Sequence, residues 1–138
     1  MSESPQHLRL VKKIRDTIRN RDDVIPSLVQ AEDHEEKTTT ISMPEGYRPD
    51  VYYFDNTNVI IGEAKTTADL LNWHSEAQFK SYFKYLQALS SDTLKATLYV
   101  GVPWGDFRWA KNHFKKNKPD LVKVIIVNDF GYEEEVNV

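Results

Sequence analysis

Apolar residues recur at helical spacing through Leu8, Val11, Ile14 and Ile18, with Arg15 in the same row, and predict a helix over residues 5–19. Ser4 supplies a capping hydroxyl, and Pro5 suits the first turn, where its missing N–H is not needed. Residues 20–36 are polar and acidic, and Pro26 interrupts any regular element there. The period then changes. Lys37 to Met43 is rich in β-branched residues and predicts a strand, followed by a turn at Pro44-Glu45-Gly46. Residues 51–54 and 59–65 predict two further strands, joined through the turn formers Asp55-Asn56-Thr57-Asn58. The unbroken apolar run Val59-Ile60-Ile61-Gly62 suits a central strand buried on both faces. Residues 66–75 read as a loop, with Ser75 capping a helix over 76–89. A strand over 94–102 ends at Pro103, a basic amphipathic helix follows over 107–116, and a buried strand over 122–128. The order αβββαβαβ predicts an α/β fold with a mixed sheet flanked by helices. Residues 1–138 read as a single domain, with 129–138 an acidic tail that is either an edge strand or disordered.

Composition removes several function classes. The chain has no cysteine, which excludes disulfides, cysteine-ligated zinc and iron–sulfur clusters and fits a reducing, cytoplasmic setting. No apolar run approaches the roughly 18 residues of a membrane span. The opening MSESPQHLRLVKK lacks the apolar centre of a secretion signal, so no membrane association is expected. The net charge of −3 argues against a strongly basic coat, but its distribution is uneven. Residues 1–21 carry six Lys/Arg against two acids, and residues 22–63 carry ten acids against two bases. Residues 64–123 return to ten bases against five acids, and the remainder has four acids and no base. Two basic segments therefore flank an acidic middle, an arrangement that serves either as ordinary solvated faces or to grip an anionic polymer around a cation.

The acidic middle contains the chemistry. Arg48-Pro49-Asp50 is followed, after twelve residues, by Glu63-Ala64-Lys65. If the turn is centred between Asn56 and Thr57, Phe54 faces Val59 and Asp50 faces Glu63. Like charges so opposed are destabilising unless something binds between them. Glu63 and Lys65 are two apart and share a face of their strand. A one-residue slip would put Asp50 and Glu63 on opposite faces. Two carboxylates and the Ala64 carbonyl are hard oxygen ligands suited to Mg²⁺, with Mn²⁺ as a substitute. A neighbouring lysine is placed to orient or deprotonate an attacking water, or to stabilise charge on a phosphate in transit. This is the inventory for metal-assisted hydrolysis of a phosphodiester; the bland reading is an exposed hairpin with one ion pair.

Asp50 after Pro49 together with Glu63-Ala64-Lys65 resembles the motif of the PD-(D/E)xK phosphodiesterases, the restriction-endonuclease-like family, and the element order is similar to that family's core over residues 5–102. The resemblance implies metal-dependent cleavage of DNA, with Asp50 and Glu63 as metal ligands and Lys65 as the catalytic lysine. The next helix carries Gln78-Phe79-Lys80-Ser81-Tyr82. This is similar to the Gln-x-x-x-Tyr of the RecB-like branch, and by it Gln78 and Tyr82 would support Lys65 or touch a phosphate. Tyr82 is also in line with Tyr85, Leu86 and Leu89, which would make it core. The chain departs from the family on its first helix, where many members place a glutamate: only Gln6, His7 and Asp16 are offered, with Glu32, His34 or Glu35 as substitutes from the following segment.

Lys111, Lys115 and Lys118 fall on one face of the second basic helix and are candidates for phosphate contact. Trp104, Phe107 and Trp109 read mainly as core or interface. The lack of a separate recognition domain leads to the expectation of duplex or branched DNA as substrate with a homodimer or partner subunit, a Holliday-junction-resolvase-like enzyme included. The rival reading is a non-catalytic module of the same fold that binds nucleic acid or protein.

Overall fold

The first element forms where its caps and stripe coincide. Ser4 Oγ accepts the His7 N–H at 3.1 Å, Pro5 opens the first turn, and α1 runs Pro5–Arg19 with Leu10, Val11, Ile14 and Ile18 fully buried. The computed structural model describes residues 4–32, 41–70 and 72–137. Six strands follow: β1 (Gln30–Ala31), β2 (Val51–Phe54), β3 (Asn58–Ala64), β4 (Lys95–Val102), β5 (Val122–Asn128) and β6 (Glu133–Glu135). They form one sheet in chain order. The pairs β1/β2, β2/β3 and β5/β6 are antiparallel, while β3/β4 and β4/β5 are parallel. Parallel neighbours need crossovers. These are α2 (Thr67–Leu70) with α3 (Trp73–Leu89), and α4 (Phe107–Asn117).

The sheet separates two cores. On one face α1 packs Leu10, Ile14 and Ile18 against Tyr53, Ile60 and Tyr99. On the other, Phe79 and Leu86 of α3 and Phe114 of α4 cover Ile61, Leu98 and Ile126. The protein is thus an α/β fold with a mixed sheet flanked by helices. Every residue of β3 is buried, as its unbroken apolar run requires of a central strand. Two glycines set how closely α1 approaches. A Cβ on Gly62 would stand 2.5 Å from Ile14 Cγ2, and one on Gly101 would stand 2.7 Å from Ile14 Cδ1. Only a bare backbone at these two points lets Ile14 reach the sheet, and that contact brings the start of α1 over the end of β3.

Several expectations change. The strand expected over 37–43 is not formed at residues 41–43, where the Met43 N–H instead bonds the Tyr47 carbonyl across a turn; residues 37–40 lie outside those described. The second antiparallel neighbour of β2, besides β3, is β1, drawn from the stretch that Pro26 was expected to leave irregular. Pro26 starts a single 3₁₀ turn, after which the chain is free to extend. The helix expected from residue 76 begins at Trp73, because Asn72, not Ser75, is the cap: its side chain accepts the Ser75 N–H at 2.8 Å. Part of the loop before it is α2. The acidic tail supplies β6 at the sheet edge, with Val136 behind it buried in the core. Among the described residues, no helix is long and apolar enough to cross a membrane.

Candidate active site

The β2–β3 hairpin sets the site. Asp55 Oδ1 accepts the N–H groups of Thr57 and Asn58 at 2.7 and 2.8 Å, which locks the turn. The resulting ladder pairs residues whose numbers add to 113, from Phe54↔Val59 to Val51↔Gly62. Asp50 is the next residue out, beside Glu63 and Ala64, and its Oδ2 accepts the Ala64 N–H at 2.9 Å. Glu63 and Lys65 leave β3 toward α3, while Ala64 packs toward α1.

Asp50, Glu63, Lys65, Gln78 and Tyr82 are all brought together, and none is more than 8% exposed. A directional chain of hydrogen bonds joins four of them. The Lys65 ammonium donates to Gln78 Oε1, Gln78 Nε2 donates to the Tyr82 hydroxyl at 3.0 Å, and that hydroxyl donates to Glu63 Oε1 at 2.8 Å. Gln78 and Tyr82 are one turn apart on α3, so a single helix face holds both the lysine and the acid. Tyr82 is also fully buried among Phe79 and Leu86, so it serves the core and the site at once. Glu63 Oε2 faces Lys65 Nζ at 3.8 Å, and the Lys65 ammonium lies over the Phe79 ring.

The electrostatics are unusual for a carboxyl. Burial, followed by the charge of Asp50, pushes Glu63 well above the ordinary carboxylate range; Lys65 and the Tyr82 hydroxyl act in the opposite direction. Burial and Glu63 push Tyr82 up as well, so it stays a neutral donor. A buried carboxyl pushed up beside a second acid marks a place where a bound cation would restore the balance of charges.

The third member of the cluster comes from α1. His7 Nε2 stands 3.3 Å from Asp50 Oδ2, and His7, Asp50 and Glu63 each offer a ligand atom within 4.8 Å of the others. This histidine occupies the place on the first helix where the sequence offers no clear acid. The sequence does not single it out; in the structure the bare backbone at Gly62 and Gly101 lets α1 settle close to the sheet, and its first turn then reaches Asp50. Among the described alternatives, Glu32 turns to Arg48 at 3.3 Å and the exposed Asp16 carboxylate pairs with Arg15; His34 and Glu35 lie outside the described residues. The set of one imidazole and two carboxylates fits a divalent cation.

The other candidates sit elsewhere. Lys111 bonds Glu134 of β6 at 2.5 Å. Lys118 lies past the end of α4 with its ammonium on the Pro119 and Val122 carbonyls, and Lys115 is exposed. His74 packs edge-on to Tyr47 and Trp73. Trp104 and Trp109 are exposed rather than core, and Phe107 rests against Tyr132 with ring centroids 5.3 Å apart. No protein-family model, no curated protein and no solved structure matches the chain.

Proposed function

We propose that the protein is a metal-dependent nuclease that hydrolyses phosphodiester bonds in DNA, built on a restriction-endonuclease-like core. The observation that carries this reading is the buried Asp50–Glu63 pair with Lys65 wired to Glu63 through Gln78 and Tyr82. A purely structural hairpin has no use for two acids facing each other out of water, since the arrangement costs stability until a cation joins it.

His7, Asp50 and Glu63 would hold the cation, with the Ala64 carbonyl as a further candidate ligand. The bound cation supplies Lewis acidity toward the phosphate and lowers the pKa of a water nucleophile. Carboxylates suit Mg²⁺, and the imidazole extends the choice to Mn²⁺. Asp50 is kept in place by the Ala64 N–H, and Glu63 by the Tyr82 hydroxyl. Lys65 is held by Gln78 at the mouth of the cluster, where its ammonium stabilises negative charge developing on the phosphate. Gln78 and Tyr82 are positioning residues: each acts through the group it holds.

The test is cleavage of end-labelled DNA by the purified protein in Mg²⁺ or Mn²⁺. Cleavage is expected, with its loss in Asp50→Ala and Lys65→Ala variants whose circular dichroism matches wild type. Absence of cleavage on linear, plasmid and branched DNA, or full activity in both variants, overturns the proposal.

A further inference from the structure

Nine large hydrophobic side chains are exposed among the described residues, and the sheet sorts them by chemistry. Because β3, β4 and β5 are parallel and in register, the loops that leave them share one edge of the sheet, the edge where Glu63 and Lys65 emerge. Trp73 opens α3 there, Trp104 stands two residues past β4, and Phe130 two residues past β5. They are 78, 65 and 75% exposed. Trp109 and Tyr132 border the same loops. All five exposed hydrophobics at this edge are aromatic. At the opposite edge stand Ile25, Leu28 and Leu121, with Phe54 at the end of β2.

The aromatic loops are fastened to one another. Thr67 Oγ1 donates to Asp106 Oδ2 at 2.6 Å, which ties the α2 segment to the loop after β4. The Trp104 N–H donates to Asp129 Oδ1 at 2.9 Å, which ties that loop to the one after β5. Trp73 lies five residues before Gln78 on α3, about 7.5 Å along the helix axis from the site. The rings are thus presented on braced loops beside the acids and the lysine.

We infer that this aromatic rim binds an unpaired nucleic-acid strand by base stacking, so that the substrate of the proposed nuclease is single-stranded DNA or a single-stranded end; the inference rests on the nuclease reading for the chemistry of the cleaved bond. Two observations select this occupant over a duplex. A duplex presents one charge per roughly 1.7 Å and is gripped by arrays of cations. Here Lys111 is engaged by Glu134, and the rim loops carry Asp69, Asp106 and Asp129 among the aromatics, with Arg108 as the exposed cation beside Trp109 rather than an array of cations. Stacking needs exposed base faces, which a duplex hides along its length and an unpaired strand offers at every nucleotide.

The experiment is fluorescence anisotropy of labelled single-stranded DNA, and of the duplex of the same sequence, with the full chain in EDTA, where cleavage is suppressed. The single strand should bind more tightly than the duplex. Trp73→Ala, Trp104→Ala and Phe130→Ala should each weaken it by roughly 5- to 150-fold, the range for losing one stacked base. Trp73→Phe and Trp104→Phe should restore most of the loss, which separates stacking from misfolding. Equal or tighter binding of the duplex, or alanine variants with unchanged affinity, overturns the inference. So does a wild-type dimer that Trp104→Ala makes monomeric while strand binding stays intact, because the rim is then a self-association surface. Single-strand binding with no cleavage in Mg²⁺ or Mn²⁺ overturns the nuclease reading and leaves the rim standing. Cleavage of single strand and duplex alike, unaffected by the aromatic variants, does the reverse.

Discussion

Glu63→Gln removes the buried charge while keeping the shape of the protonated carboxyl and an oxygen for the Tyr82 hydroxyl to reach. Two Coulomb terms act on the ionised Glu63. Asp50, with a ligand oxygen no farther than 4.8 Å, repels it by at least about 3 kcal/mol at an effective dielectric of 20, and Lys65, at 3.8 Å, attracts it by about 4 kcal/mol. The two oppose each other, with Asp50 the stronger influence, and burial, the largest influence on this carboxyl, adds to the repulsion. The folded value lies above the ordinary 4.5, so in the metal-free protein the stability from this group is fully present below that pH. It is lost as pH rises through the folded value, because the unfolded chain releases the proton first. The Glu63→Gln variant lacks this loss. Its advantage over wild type should be absent near pH 4, grow by up to about 1.4 kcal/mol per pH unit, and level off once the folded Glu63 ionises. The assay is urea unfolding of both proteins in EDTA across this range. Mg²⁺ at about a hundred times its dissociation constant should then return about 2.7 kcal/mol to wild type and almost nothing to the variant. A variant no more stable than wild type at pH 8, or one that gains equally from Mg²⁺, refutes the reasoning.

Further outcomes follow from the same geometry. His7→Ala should leave the fold intact and weaken Mn²⁺ binding by at least tenfold in a calorimetric titration, since the imidazole is one of three clustered ligand groups. Tyr82→Phe removes the hydroxyl between Gln78 and Glu63; metal affinity or cleavage rate should fall about 10- to 100-fold, with about 1 to 3 kcal/mol of stability lost in a urea melt. Gly62→Ala drives a methyl into Ile14 and should cost about 1 to 3 kcal/mol, whereas Gly105→Ala, with open space around it, should change the melt by less than about 0.5 kcal/mol. Lys111→Ala breaks a solvent-exposed ion pair to β6 and should leave the urea melt almost unchanged, with any difference vanishing in high salt.

Much of the site is legible in the sequence because it is local. The Asp55-to-Asn58 turn determines the hairpin register, and register alone sets Asp50 beside Glu63 and Glu63 on the face of Lys65. Gln78 and Tyr82 are legible from one helical turn of spacing. His7 is visible on the first helix but is not singled out there, because its distance to Asp50 depends on how deeply Ile14 settles over Gly62 and Gly101. The tryptophans after β4, which the sequence leaves as core or interface, are exposed: hydrophobicity says that a ring gains from burial, but not whether any element covers it.

By itself, the amino-acid order determined the helices, the buried central strand, the hairpin register and the acid–acid–lysine triplet, since each depends on hydrogen bonds and side-chain periods within a few residues. The tertiary structure decided the rest: the pairing of β1 with β2, the imidazole delivered by α1, the burial that pushes Glu63 above the ordinary carboxylate range, and the alignment of aromatic loops along one sheet edge. These depend on close approach and desolvation between segments far apart in the chain, and only the packed sheet and its helices set those distances.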